Sequence, residues 1–174
     1  MTDPRIALRD PVRLPAMPDG WSMRVIDERV VKASVRTMFA LAREVDRWPE
    51  HLAHYRWVRF DQRDTEGGGL VAMSASRPFG RMVWPTWWTS EMGIDDARPA
   101  IRFRHVHGVT RGMEVEWTFT ERNDGVLVRI VHCWNGPGWP LIGVAAARHV
   151  IGPVFIHGIA SRTLAGLAAV AERR

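Results

Sequence analysis

The chain has 174 residues, which suits one domain with one hydrophobic core and leaves no room for a second catalytic domain. Hydrophobic residues make up 46% and charged residues 25% of the sequence, and this ordinary globular balance excludes disorder over most of the chain. The formal net charge is +5, but the arginines are scattered among acidic residues without a basic run, which argues against nucleic-acid binding.

The N-terminal region is rich in proline. Residues 1–20 contain four prolines and are predicted to form an arm that either wraps the domain or stays mobile, whereas residues 21–174 form a single domain. Apolar and polar residues alternate from Trp21 to Lys32, which predicts a first strand. Ser34 is expected to cap a first helix, and a second short helix is predicted to end at Trp48–Pro49.

Six more strands are predicted after these helices. Short connections rich in glycine, proline, aspartate and asparagine separate them, and such connections join antiparallel neighbours because parallel strands need long crossovers. The predicted strands cover residues 54–63, 69–77, 82–94, 100–107, 112–122 and 125–135.

In the tail, the spacing of the apolar residues changes to that of one face of a helix. Residues 139–174 are predicted to form a long helix that is kinked or restarted at Gly152–Pro153. Residues 139–160 are apolar, but Arg148, His149 and the Gly-Pro break argue against a transmembrane span.

These elements predict an α+β fold. A curved antiparallel sheet of about seven strands wraps round the long C-terminal helix, and two short helices lie between strands 1 and 2. A bent sheet that meets the helix only at its rim leaves a space between them. That space is the candidate site.

The turn positions allow the facing residues to be estimated. If Asp124–Gly125 is a two-residue turn, Trp117 faces His132 and Val115 faces Trp134. Across the preceding turn, Phe103 is expected to face Trp117, and His105 to face Val115. The same alternation points Trp84, Trp88 and Met92 inward, with Trp88 near His105.

The predicted interior is aromatic and contains two histidines. The chain has nine tryptophans, and a wall of several indoles is typical of an aromatic-lined cavity, although a solid aromatic core is the alternative. A buried polar group without a partner costs about 1–3 kcal/mol, so His105 and His132 have either a functional or a structural hydrogen-bonding role.

Other motifs are few. His105 and His107 point to opposite faces of a strand, so no metal site is predicted, and no cofactor is predicted because phosphate-binding and dinucleotide motifs are missing from the sequence. Cys133 is the single cysteine, which is compatible with a reducing compartment. The first twenty residues contain no apolar signal-peptide core, and we therefore expect a cytoplasmic protein.

One segment resembles a known family. Val45 to Tyr55, VDRWPEHLAHY, resembles the signature that follows the first helices in START-like helix-grip domains, especially in polyketide aromatase/cyclases. Trp88-Thr89-Ser90-Glu91 is similar to the W-x-S-E strand of that family, and Met113 with Trp117 fits its M-x-x-x-W spacing. The resemblance extends from about Met23 to the C-terminus.

The resemblance implies a cavity that binds a reactive poly-β-ketone and promotes aldol ring closure and dehydration. Its signature positions correspond here to Trp48, Tyr55, Trp88, Met113 and Trp117. Aromatic walls would hold the folded chain, and the Tyr55 phenol would donate to a carbonyl as charge develops on its oxygen.

The sequence departs from the family at one position. Aromatase/cyclases generally have an inward arginine after W-x-S-E, whereas this chain has Met92, whose thioether cannot stabilise an enolate. Either His105 or His132 takes the role of the arginine, or the cavity binds its ligand without catalysis.

Two main hypotheses follow, both with a hydrophobic or aromatic, polyketide-like small molecule as partner. In the first, the protein is a polyketide cyclase with Tyr55, His132 and His105 as catalytic residues. In the second, it is a non-catalytic carrier of a lipid, quinone or steroid-type ligand. A protein interaction module is a third reading, and the oligomeric state, a homodimer included, stays open. The predicted ligand-binding residues are Trp48, Trp84, Trp88, Met92, Phe103, Met113, Trp117 and Trp134.

Overall fold

The computed structural model describes residues 8–79, 82–136 and 157–174. The elements in chain order are β1 (Leu8–Arg9), β2 (Met23–Val31), α1 (Val35–Arg43), a 3-10 helix (Val45–Arg47), α2 (Trp48–His51), β3 (Tyr55–Asp64), β4 (Gly69–Phe79), β5 (Met82–Asp95), β6 (Ala100–Gly108), β7 (Glu114–Arg122), β8 (Gly125–Trp134) and α3 (His157–Ala171).

All described strands belong to one sheet, in the order β1-β3-β4-β5-β6-β7-β8-β2. Seven of them form an antiparallel curved sheet, and β1 adds two residues to one edge by parallel pairing with β3. Helix α3 contacts β2, β4 and both other helices. The predicted fold, a curved antiparallel sheet gripping a C-terminal helix, is therefore confirmed.

The helices between β2 and β3 begin as their side chains dictate. The Ser34 side chain accepts a hydrogen bond from the Thr37 amide at 3.0 Å, which confirms the predicted cap of α1. The boundary predicted at Trp48–Pro49 is wrong, because α2 begins there. Proline fits the first turn of a helix, where its missing N–H would have no partner in any case.

The strand register differs from the prediction by two residues. Arg122 pairs with Gly125, so the turn is Asn123–Asp124, Val115 pairs with His132 and Trp117 pairs with Ile130. Gly125 stays in the strand at φ +140°, where an added Cβ would lie 2.1 Å from the Val31 carbonyl oxygen. A shift of two residues keeps every side chain on its predicted face.

The preceding hairpin has the same offset. Phe103 pairs with Val115, and Ile101 rather than Phe103 pairs with Trp117. His105 instead faces the chain at Met113, whose carbonyl accepts from the His105 amide at 2.9 Å. The loop between β6 and β7 therefore extends beyond the turn that Gly108 and Gly112 predict.

The arm is attached to the sheet from Leu8 onward. The Val12 amide donates to Asp64 Oδ2 at 2.9 Å, and Arg102 Nη1 donates to the Pro15 carbonyl at 2.7 Å. Asp64 is buried, so the arm contact belongs to the folded domain and not to its solvated rim.

The structure describes the C-terminal helix, α3, from His157 onward. Its residues Leu164, Leu167, Ala168 and Ala171 are buried against the core, as their spacing predicts. The predicted break at Gly152–Pro153 and the start of the tail lie outside the described residues. Within the described part of the chain, no helix is long and apolar enough to cross a membrane.

Candidate functional site

A cavity of about 80 Å³ lies between the inner face of the sheet and helices α2 and α3. Ligand pockets usually measure about 300–1,000 Å³, so a ring-sized ligand requires lining side chains to move. The lining consists of Trp48, Tyr55, Met73, Thr86, Trp88, Phe103, His105, Thr110, Met113, Val115, Trp117, His132, Ile159, Ala160 and Thr163.

Aromatic rings form a continuous wall along the cavity. The Trp48 ring centre lies 5.2 Å from that of Tyr55 and 5.7 Å from that of Trp117, and Tyr55 lies 6.3 Å from Trp88. Trp48 is held at the start of α2 because its Nε1 donates to the Leu41 carbonyl at 3.2 Å. These contacts give the wall a fixed arrangement of edge-to-face and tilted rings.

Tyr55 places a phenol in the cavity at the first position of β3. Its side chain is buried, and burial raises the pKa of the phenol well above the ordinary value. The Thr163 hydroxyl of α3 donates to the Ile159 carbonyl at 2.8 Å, and it lies 3.4 Å from Tyr55 Oη and 3.0 Å from His54 Nε2. The phenol is therefore protonated at neutral pH and can donate a hydrogen bond to a carbonyl.

His105 stacks on Trp88 at the end of β6. Their ring centres are 5.9 Å apart with an interplanar angle of 16°, and His105 Nδ1 lies 2.7 Å from the Thr110 hydroxyl. Burial, with a smaller effect of the nearby His132, lowers the pKa of His105 to about 3. The imidazole is neutral at physiological pH and offers one donor and one acceptor nitrogen.

His132 lies on β8 and has an unsatisfied nitrogen. Its Nδ1 is buried and has no hydrogen-bond partner in the described part of the molecule. Burial lowers the pKa of His132 to about 3, so this ring is also neutral at physiological pH. A buried nitrogen without a partner is an unfavourable arrangement that a polar ligand atom would relieve.

The lining contains no aspartate, glutamate, lysine or arginine among the residues that the structure describes. Its polar side-chain groups are the phenol, the two imidazoles, three threonine hydroxyls and the indole N–H groups of three tryptophans. Over residues 8–79, 82–136 and 157–174, no three His, Cys, Asp or Glu side chains are grouped to hold a metal ion. The site thus combines an apolar wall with uncharged hydrogen-bonding groups.

The structure brings most of the predicted residues together. The predicted residues that line the cavity are Trp48, Tyr55, Trp88, Phe103, His105, Met113, Trp117 and His132. Met92 and Trp134 do not line the cavity but are fully buried in the core beside it, and Met92 pairs with the lining residue Phe103. Trp84 lies on β5 opposite Arg77.

Sequence reasoning missed several lining residues. Thr86 has the same strand alternation as Trp88, which predicts that it points inward, but the sequence did not mark it as a ligand-binding residue. Thr110 follows β6 in a loop, and Thr163 is one turn after Ile159 on α3, where no strand period applies. The spacing of apolar residues along the helix carries no signal for a threonine such as Thr163.

The fold and the cavity define a START-like protein of the kind that binds small molecules between a curved sheet and a terminal helix. A family model described as polyketide cyclase / dehydrase and lipid transport matches residues 31–151. The chain therefore belongs to this family. No match was found among curated protein sequences.

Solved structures share the fold at low sequence identity. The Zhui aromatase/cyclase from Streptomyces sp. R1128 has a TM-score of 0.68 and 17% identity, with 87% of this chain and 94% of that chain covered. A START superfamily protein from Mycobacterium smegmatis has a TM-score of 0.65 and 14% identity over 86% and 97%. The ginseng major latex-like protein 151 from Panax ginseng has a TM-score of 0.68 and 11% identity over 87% and 99%.

Proposed function

We propose that the protein binds a neutral, largely aromatic small molecule that carries carbonyl groups, such as a quinone or a polyketide-derived ring. The observation that carries the proposal is the combination of Tyr55 Oη, His105 and His132 in an aromatic cavity whose described lining has no ionised side chain. Carbonyl oxygens accept hydrogen bonds without bringing a charge into an apolar site. Charged ligands would lose their hydration without gaining a counter-ion.

Binding without catalysis is the better supported form of this function. A histidine whose pKa is about 3 is a weak base, and protonating it at pH 7 is unfavourable. Met92, at the position of the family's arginine, is buried in the core and supplies no cation. The histidines therefore suit hydrogen bonding to the ligand better than proton transfer.

The proposal is tested with 1,4-naphthoquinone as the probe and its 2-sulfonate as the charged analogue. Trp48, Trp88 and Trp117 line the cavity, so quenching of tryptophan fluorescence reports occupancy. We expect the neutral quinone to bind and the sulfonate to bind at least about tenfold more weakly. Equal affinity of the two compounds, or no binding of either, contradicts the proposal.

Variants separate cavity binding from surface binding. Tyr55→Phe and His105→Leu each remove one hydrogen-bonding group, and we expect each to weaken quinone binding by roughly two- to tenfold. His107→Leu is the matched control, because His107 is exposed and lies two residues along the same strand. Native mass spectrometry of freshly purified protein would identify a co-purified ligand.

Polyketide cyclisation is the second candidate, and the protonated Tyr55 phenol favours it. In an aldol closure an enol carbon of the ligand attacks a second carbonyl carbon, so the new carbon–carbon bond forms as the C=O π bond breaks and the enol releases its O–H proton. The attacked carbonyl oxygen gains negative charge and takes a proton, and a donor at that oxygen stabilises the transition state. Subsequent loss of water gives the unsaturated ring. If Tyr55 acts as a general acid, Tyr55→Phe lowers the cyclisation rate by about 10²–10⁴-fold. A product distribution from a poly-β-ketone that is identical with and without the protein contradicts this candidate.

A further inference from the structure

Two tryptophans are exposed on the outer face of the sheet, on the opposite side from the cavity. Trp87 on β5 is 58% exposed and Trp57 on β3 is 38% exposed. Both align with Ser74 of the intervening strand β4, so the two residues stand about 10 Å apart on one face. Val109, which is 51% exposed, adjoins this surface in the fold, because it follows Gly108 and Gly108 pairs with Trp88, the neighbour of Trp87. We call Trp57, Trp87 and Val109 the outer apolar patch.

The charged groups beside the outer apolar patch are mainly basic. The Arg59 guanidinium lies 5.1 Å from the Trp57 ring centre. Arg56 is exposed directly before Trp57, and Arg111 is exposed two residues after Val109. Asp61 is the acidic neighbour on β3 and forms an exposed ion pair with Arg59 at 3.4 Å. Glu91 shares the outer face of β5 with Trp87, so three arginines against two carboxylates leave the edge of the patch with a net positive charge.

The outer apolar patch lies across the sheet from the cavity, on segments that also carry cavity residues. Trp88 follows Trp87 on β5 and turns to the inner face, where it lines the cavity. Thr110 follows Val109 and also lines the cavity. A surface that covers the patch would therefore contact the two segments that carry Trp88 and Thr110.

We propose that the outer apolar patch docks the protein on an anionic lipid bilayer. Tryptophan prefers the boundary between headgroups and water, because its ring is apolar and its N–H is polar. Each arginine near an anionic membrane surface raises the partition coefficient by about fivefold. A second copy of this chain is a poorer occupant, since a two-fold contact would bring the same positive groups together.

The proposal is tested by co-sedimentation with vesicles of phosphatidylcholine alone and of phosphatidylcholine mixed with phosphatidylglycerol. We expect binding to the mixed vesicles that weakens with added salt. The double variant Trp57→Ser/Trp87→Ser should lower the partition coefficient at least about tenfold, and Arg111→Gln about fivefold.

The matched control is Ile26→Ser/Val30→Ser. Ile26 and Val30 are 38% and 39% exposed on β2, at the other edge of the sheet. This variant should bind mixed vesicles like the parent protein. Circular dichroism melting curves of both double variants check that each remains folded.

Three results would overturn the proposal. They are the failure of the parent protein to bind mixed vesicles, unchanged binding by the tryptophan double variant, and a concentration-dependent dimer that this variant abolishes. The last result would make the patch an interface between copies. The vesicle assay contains no quinone, so its outcome is independent of the cavity-binding test.

Discussion

The burial of His132 is unfavourable for stability, but it places the ring where a ligand can bind. Its Nδ1 is buried without a hydrogen-bond partner among the described residues, and its ring lines the cavity. The sequence identified His132 as inward-facing because strand alternation fixes the face. It could not show whether the ring finds a partner, since that depends on contacts between distant strands.

His132→Leu should separate these two effects. Replacing a buried, unpartnered nitrogen with an apolar side chain should raise the free energy of unfolding of the ligand-free protein by about 1 kcal/mol. The same change should weaken naphthoquinone binding, because the ligand loses a hydrogen bond. Urea denaturation and fluorescence titration measure the two quantities. Lower stability of this variant would mean that Nδ1 is well hydrogen-bonded in solution.

The two cavity histidines also predict how stability depends on pH. Burial lowers the pKa of each from 6.5 to about 3, so below pH 6.5 the unfolded chain binds protons that the folded protein does not. Stability from this source is fully present above pH 6.5 and falls as the pH drops towards 3, by up to about 1.4 kcal/mol per pH unit for each ring. Denaturation between pH 5 and 7 measures the slope. The double variant His105→Leu/His132→Leu should reduce this slope. An unchanged slope would mean that other groups cause the pH dependence of stability.

At the scale of single elements, the hairpin between β7 and β8 depends on Gly125. Its φ of +140° suits only glycine, and an added Cβ would lie 2.1 Å from the Val31 carbonyl oxygen of β2. We expect Gly125→Ala to lower the free energy of unfolding by at least about 2 kcal/mol. Gly112→Ala is the matched control, because φ is +84° there with open space around the Cβ, and a loss of about 1 kcal/mol is expected. Equal losses in the two variants would mean that the contact with Val31 does not matter.

The same hairpin shows why the strands were predictable and their register was not. Alternation along β7 and β8 depends on local sequence, and it correctly pointed Trp117 and His132 inward. The register depends on which residues form the turn, and Asn123–Asp124 and Asp124–Gly125 are both good turn pairs. The close approach of β2 to Gly125 decides between them, and a contact across the sheet leaves no local signal.

For the whole molecule, the order of elements and the signature segment predicted the fold, whereas the size of the cavity depends on packing. Eight predicted site residues line one space because the sheet curves round α3. Met92 has the same inward alternation as Trp88, but it is fully buried in the core because the sheet and helices close around that part of the face. The small volume of the cavity likewise follows from how the tryptophan rings pack, which alternation alone does not specify.

The attachment of the arm to the domain gives the last prediction. Asp64 Oδ1 accepts from the amides of Glu66 and Gly68 at 2.9 and 2.8 Å, and its Oδ2 accepts from the Val12 amide at 2.9 Å. In Asp64→Asn the remaining oxygen can keep the two loop bonds, but the new NH₂ group then faces the N–H of Val12. We expect the arm to detach while the loop stays in place.

Limited trypsin digestion measures this detachment at Arg9 and Arg13. Cleavage there should become at least about tenfold faster in Asp64→Asn, because losing a buried hydrogen bond weakens the attachment by about 1–3 kcal/mol. Asp61→Asn, an exposed change on the same strand, is the control and should digest like the parent protein. Quinone affinity should stay within about twofold, since no arm residue lines the cavity in the described part of the chain. A large loss of affinity would contradict the proposal that residues 21–174 form the ligand-binding domain without help from the arm.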